Sequence, residues 1–244
     1  MLQKIASSDS QRFAGRVAVV GAILAWTMAI LLMAAAGFDF DAAENPVSML
    51  AFSAEAQNLY RLGMWADILG WYIPFLVVGG FLWQRMRQRM GVDADIALVS
   101  LVAYALLGMV GAGMLNLTLP GLATLYTGHD AAGVAAAQAT WTALQNAAQG
   151  IWNIEAPVLM IWGATAAKYL KAERWGYGGL LKFDVALFGI EFLLNLLGRR
   201  DFAMSVQMLT LLIHPLWLLL FGLNLLRLQP VSTSLKDAPR GQAI

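Results

Sequence analysis

The chain has 244 residues, 59% of them hydrophobic and 13% charged, with a net charge of +1 and no cysteine. A soluble domain carries about 25% charged residues, so this composition excludes an ordinary soluble globule, and the near-zero charge excludes a strong field for nucleic acid or acidic substrates. The lack of cysteine excludes disulfides, thiolate metal sites, iron–sulfur clusters, covalent haem and thiol catalysis.

The apolar residues come in blocks, and a helix needs about 20 of them to cross a bilayer. The blocks are too long and too unalternating for barrel strands, and lipid accepts only helices or closed barrels. The expected fold is all-α: an integral membrane bundle of six transmembrane helices, forming one transmembrane domain over residues 1–244. The spans fall at 16–38, 58–84, 95–118, 138–168, 179–198 and 204–228.

The first span follows Lys4, Arg12 and Arg16 and ends in "MAAAG", a pattern shared with secretory signal peptides. Its apolar run, Val17 to Gly37, exceeds the roughly 7–15 residues of a signal core. It is therefore read as a helix that stays. The next connection, "DFDAAENP", groups Asp39, Asp41 and Glu44. With His129 and Asp130 of the later stretch "TLPGLATLYTGHDAAG", these form a weak candidate for an outer cation site, since hard cations prefer carboxylate oxygens. The plainer reading is a solvated acidic loop.

The second span holds Asp67. Its sequence "RLGMWADILGWYIPFLVVGGFLW" has an outer "RLG", an acidic residue five positions past Leu62, and then a long apolar run. This resembles the second helix of a bacterial membrane family known as domain of unknown function 4386. The six-span plan, the long loop after the third helix and the polar fourth helix are similar too. The resemblance implies a six-helix protein of the bacterial inner membrane, with no assigned chemistry and no catalytic residues to carry over.

The third span contains "GMVGAGM", read as close helix packing. The fourth carries Gln145, Gln149, Trp152 and Asn153 on one broad face, with Glu155 turned elsewhere and Pro157 two residues on. In the fifth, Asp184, Glu191 and Asn195 lie within about 40° of one another on a helical wheel. The sixth repeats this stripe with Gln207, Thr210, His214 and Trp217. With the last two spans joined through "GRRDFA", Glu191 and His214 fall within about 3 Å in height, so a contact between them is geometrically reasonable. Glu155 rises about 20 Å and Glu191 about 17 Å from their cytoplasmic ends, and Asp67 stands higher, about 25 Å up.

Orientation follows from the basic residues. Lys4, Arg12, Arg16, Arg85, Arg87, Arg89, Lys168, Lys171, Arg174, Lys182, Arg227, Lys236 and Arg240 fall on one side, against Arg61, Arg199 and Arg200 on the other. The positive-inside rule then makes both termini cytoplasmic. Trp26, Trp65, Trp71, Trp83, Trp141, Trp175 and Trp217 partly suit interfacial belts, although several lie too deep for that role alone.

Ionisable groups inside a membrane suggest function by default, whereas buried amides such as Gln149, Asn153 and Gln207 also serve as interhelical glue. Three functions remain open. One is a carrier or channel for protons, a small cation or a small molecule, with Asp67, Glu155, Glu191 and His214 lining a cavity. Another is a membrane enzyme using Glu191 or Glu155 with His214 as acid and base on a lipid-like substrate. The third is a non-catalytic accessory subunit whose polar groups bond to partner membrane subunits. His214 is the single histidine within the spans, so a bis-His haem cannot form within one chain.

Overall fold

The computed structural model describes residues 2–39, 41, 42, 45–128 and 130–227, with the side chains of 2–8 left aside. Glu44, His129, Lys236 and Arg240 lie outside the described residues, as do the side chain of Lys4 and residue 228 of the last expected span. The chain forms α1 (Leu2–Ala35), a short α2 (Pro46–Leu50), α3 (Ala54–Met90), α4 (Val92–Tyr126), α5 (Ala131–Ala172), α6 (Gly178–Leu196) and α7 (Arg200–Arg227). No strand occurs among the described residues.

Four helices are long and apolar enough to cross a membrane: Asp9–Ala35 of α1, and all of α3, α4 and α7. The other two long helices are interrupted by polar and charged side chains. Gln145, Asn146, Gln149, Asn153 and Glu155 punctuate α5, and Lys182, Asp184 and Glu191 fall within the 19 residues of α6.

Side chains set several ends. Asn45 accepts a hydrogen bond from the Val47 N–H at the start of α2, Ser53 caps α3 through Ala56, and Asp130 caps α5 through Ala132 and Gly133. Such caps satisfy N–H groups that a first helical turn leaves free. Between α3 and α4 the chain reverses at Gly91 alone, with φ at 53°, a backbone state that glycine enters without steric cost.

The long loop expected after the third span is mostly helix. α4 runs through Pro120 to Tyr126 and α5 begins at Ala131, so the connection shrinks to 127–130. Small and apolar residues dominate that stretch, and they are compatible with continued helix on either side of a short turn. The last helix also begins earlier than expected, at Arg200 rather than 204.

Each long helix packs on the next in chain order, and α7 returns to pack on α1, so the six close into a ring. Small residues permit the tightest crossings. A Cβ on Gly222 would stand 2.9 Å from the Gly15 carbonyl oxygen, and one on Gly70 would stand 2.4 Å from the Ala25 backbone nitrogen. Gly70 lies in an unusual part of α3, because Ile68–Tyr72 is a π-helical turn between two α-helical stretches. Pro74 follows and supplies no N–H, so the Gly70 carbonyl has no α-helical partner there.

Basic residues tie down the end that carries Gly91. Arg85 lies 4.8 Å from both the Phe81 and Trp175 ring centres, Arg89 pairs with Glu173, and Arg87 meets Asp95 at 3.3 Å. The opposite end is built differently. Asn195 donates to Asn153 at 3.0 Å, fixing the far end of α6 against α5. From that level, residues 131–152 of α5 continue for about 33 Å. They pack with the end of α4, the start of α3 and α2 around a second core that includes Leu50, Tyr60, Met64, Leu115, Leu119 and Trp141. The main core fills the ring itself.

Candidate functional site

Aromatic side chains fill the centre of the ring and enclose a histidine. His214 of α7 is 1% exposed, and Phe75 and Trp71 of α3, one turn apart, both stack on its imidazole. The centroid separations are 4.0 Å for Phe75 and 4.5 Å for Trp71. Phe188 of α6 meets the ring edge-on at 5.2 Å. His214 Nδ1 is 2.7 Å from Asp184 Oδ2, and its Nε2 is 3.4 Å from the Tyr104 hydroxyl of α4. Asp184 has no exposed surface, and its Oδ1 has no hydrogen-bond partner among the described residues. With the carboxylate as acceptor, Nδ1 carries the hydrogen and Nε2 is left to exchange one with Tyr104.

The expected Glu191–His214 contact does not form. It rested on a turn centred near residue 201, whereas α6 ends at Leu196 and α7 starts at Arg200, which moves the centre to about residue 198. Measured from there, Glu191 lies 7 residues along α6 and His214 lies 16 along α7, a height difference of about 13 Å. Asp184, 14 residues along, is the group level with the histidine. Glu191 is half-buried and makes no hydrogen bond among the described residues.

Glu155 of α5 is 4% exposed and accepts from the Tyr72 hydroxyl, whose oxygen is 3.3 Å from Oε2 and 3.4 Å from Oε1. Tyr72 is the last residue of the π turn, and its ring reaches Glu155 by crossing α4 at Gly108. A Cβ at Gly108 would lie 1.9 Å from the ring carbon that bears the hydroxyl. Gly111, one turn on, gives the same room to Trp152. Gly108 and Gly111 of "GMVGAGM" thus accept aromatic side chains rather than a helix backbone, while nothing lies within 4 Å of a Cβ at Gly113. Tyr72 and Tyr104 lie with ring centres 5.4 Å apart, so the two hydrogen-bonded groups meet through their tyrosines.

The remaining predicted residues divide. Asp67, 7% exposed, immediately precedes the π turn and has no hydrogen bond among the described residues. Asn153 and Asn195 bond to each other. Gln149 is exposed, and Gln207 is half-buried without a hydrogen bond among the described residues. Gln145 donates towards the Met49 sulfur at 3.4 Å and so holds α2. Thr210 turns its hydroxyl back on the Val206 carbonyl.

The acidic connections behave as caps. Asp39 Oδ1 accepts from the N–H groups of Asp41 and Ala42, and Asp130 caps α5. Among the described residues no three His, Asp or Glu side chains converge as metal ligands.

Tyr72, Tyr104, Trp71 and Phe75 are the site residues that sequence reasoning passed over. Aromatic residues at helical spacing read as ordinary core, and Trp71 also suited an interfacial belt. The dipeptide "WY" directly before "IP", in a helix already holding Asp67, was the available signal.

No protein-family model matches the chain, and neither does any curated protein or solved structure.

Proposed function

We propose that the chain is a six-span protein of the bacterial inner membrane with both termini cytoplasmic, and that it binds and passes protons through the centre of its helix ring. The observation that carries this reading is the buried series Asp184–His214–Tyr104 followed by Tyr72–Glu155, which joins five of the six ring helices through groups that each hold or release a proton. Chains of carboxylates and histidine inside a membrane are typical proton relays. His214 Nε2 takes a proton as imidazole and returns it as imidazolium, and a hydroxyl passes one on by accepting on one side and donating on the other.

The six-span count draws support from the ring. α6 has 19 residues and is about 28 Å long, close to the roughly 30 Å hydrocarbon thickness. Its Asp184 and Glu191 reduce its hydropathy but face neighbours rather than lipid alone. The basic cluster around Arg85, Arg89, Lys171 and Arg174 supports a cytoplasmic end there, with the α4–α5 tip outside.

Both parts are testable. Because the chain has no cysteine, single-cysteine variants report cleanly. A membrane-impermeant maleimide applied to intact cells labels Gly128→Cys and Gly198→Cys, whereas Gly91→Cys and Gly176→Cys react only after lysis. Labelling of Gly198→Cys from the same side as Gly91→Cys excludes six spans. For the activity, the purified chain in lipid vesicles dissipates an imposed pH gradient, followed by an internal pH dye. Asp184→Asn and His214→Gln slow this by about a hundredfold, the low end for a positioned proton-transfer group. Wild-type vesicles that hold their gradient as long as protein-free ones overturn the reading and leave the buried pairs as structural.

A further inference from the structure

We propose that the cleft beside Arg61 on α3 binds the headgroup of an anionic phospholipid, held through its phosphodiester and hydroxyls, in the leaflet opposite Arg85. On the orientation proposed above, that leaflet is the outer one. The proposal requires only that α3 crosses the bilayer, so it stands or falls apart from proton passage.

The cleft has a volume of about 270 Å³ and is lined by Asn58, Arg61, Leu62 and Trp65. These positions are spaced i, i+3, i+4 and i+7, so they share one face of the helix. Arg61 is the fixed point. Its Nε is 3.3 Å from Oδ1 of Asn116 on α4, a residue only 1% exposed. The two terminal nitrogens of the guanidinium make no hydrogen bond among the described residues. Arg61 also has no carboxylate partner among them, whereas Arg87 and Arg89 at the other end of α3 pair with Asp95 and Glu173. A guanidinium steadied at Nε by a neutral amide keeps its charge uncompensated. Its planar terminal fork matches two oxygens of a phosphate.

The depth of Arg61 identifies the source of that phosphate. Trp65 and Trp83 on α3 are 18 residues apart, about 27 Å along the axis. That is close to the roughly 30 Å of hydrocarbon in a bilayer, and tryptophans favour its two boundaries. Both are partly exposed, and Trp83 Nε1 donates to Asp95. Arg61 stands about 6 Å beyond Trp65. The polar layer adds about 5–7 Å to each side of the hydrocarbon, so the guanidinium falls at the level of the lipid phosphates. Asn58 lies almost one turn farther out, where headgroup hydroxyls are found. Leu62 and Trp65, both exposed, continue the face inward to where acyl chains begin. No carboxylate lines the cleft to receive an ammonium group. A glycerol headgroup therefore suits it better than an ethanolamine or choline one.

Lipid binding to the detergent-purified chain, measured by native mass spectrometry, tests the site. The wild type holds one molecule of phosphatidylglycerol more tightly than any further ones. Arg61→Gln weakens that molecule by about tenfold, as loss of a charge-assisted contact does, and Arg61→Lys weakens it less. Arg199→Gln leaves it unchanged, because Arg199 does not line the cleft. A wild type without a tighter molecule, or equal affinity in Arg61→Gln, overturns the proposal. So does an equal loss in Arg199→Gln, which shows diffuse attraction to positive charge. If Arg61→Gln fails to fold, the Leu62→Cys chain decides, since it keeps Asn58 and Arg61 and has no other cysteine. Phosphatidylglycerol slows its reaction with a water-soluble maleimide severalfold, whereas phosphatidylcholine and inorganic phosphate do not. Protection by inorganic phosphate alone replaces the lipid with a free anion. Equal protection by phosphatidylcholine, or none by phosphatidylglycerol, overturns headgroup recognition.

Discussion

Replacing His214 with leucine lowers the stability of the detergent-solubilised chain by about 3–5 kcal/mol, the cost of removing one partner from a buried, hydrogen-bonded acid–base pair. Asp184 has no exposed surface, and its second oxygen already has no partner, so losing the 2.7 Å contact strands the whole carboxyl in an aromatic interior. The stacked Phe75 and Trp71 also lose the ring between them and their neighbours, which adds a packing term. The Asp184→Leu/His214→Leu double variant recovers much of the loss, because removing both partners leaves neither group unmatched. A double-mutant cycle read by denaturant unfolding in detergent checks this. Strictly additive single and double effects mean that the two groups do not stabilise one another in the folded state.

Gly70→Ala costs about 3 kcal/mol, the upper end of the usual overpacking penalty. The added Cβ meets the backbone of α1 at Ala25 N, 2.4 Å away, and at the Leu24 carbonyl carbon, 2.7 Å away. Backbone atoms cannot swing aside as a side-chain end can, so α1 and α3 must separate. Gly21 makes the same crossing from the other side, where its own Cβ would lie 2.2 Å from Pro74 Cγ. Gly113→Ala and Gly150→Ala serve as controls, since nothing lies within 4 Å of either added atom. Those two gain up to about 1 kcal/mol of helix propensity. A Gly70→Ala chain as stable as the controls contradicts the close crossing.

Helix identity was legible because it depends on local composition, and every expected span coincides with a helix. Boundaries were less so. The early start of α7 at Arg200 reads in sequence as a charged turn, "GRRD", and only the packing of α7 along α6 and α1 shows that helix begins there. That small shift changed the partner of His214 from Glu191 to Asp184. Spacing alone puts Asp184 on the polar face of its helix, the face that meets His214.

The tyrosines were hidden for a different reason. A tyrosine in an apolar helix has the same periodicity whether it fills space or carries a hydrogen bond. Tyr72 becomes a partner of Glu155 because a glycine on a third helix, Gly108, leaves room for its ring. Such a relation among three helices has no one-dimensional signature. The π turn is equally silent, since Ile68–Tyr72 has the composition of an ordinary helix and its register is set by contacts with α1 and Pro74.

The placement of Asp184 and His214 on consecutive helices bears on biogenesis. A nascent helix with a carboxyl near its middle enters lipid at a cost of about 2.5–3.5 kcal/mol. α6 and α7 are joined by a tight turn, and their acid and base sit level with each other. On the six-span reading proposed above, they would enter the bilayer as a hairpin with Asp184 and His214 already matched. The contact at the centre of the ring would then be available to help the helix that carries Asp184 and Glu191 leave the ribosome-bound insertion machinery.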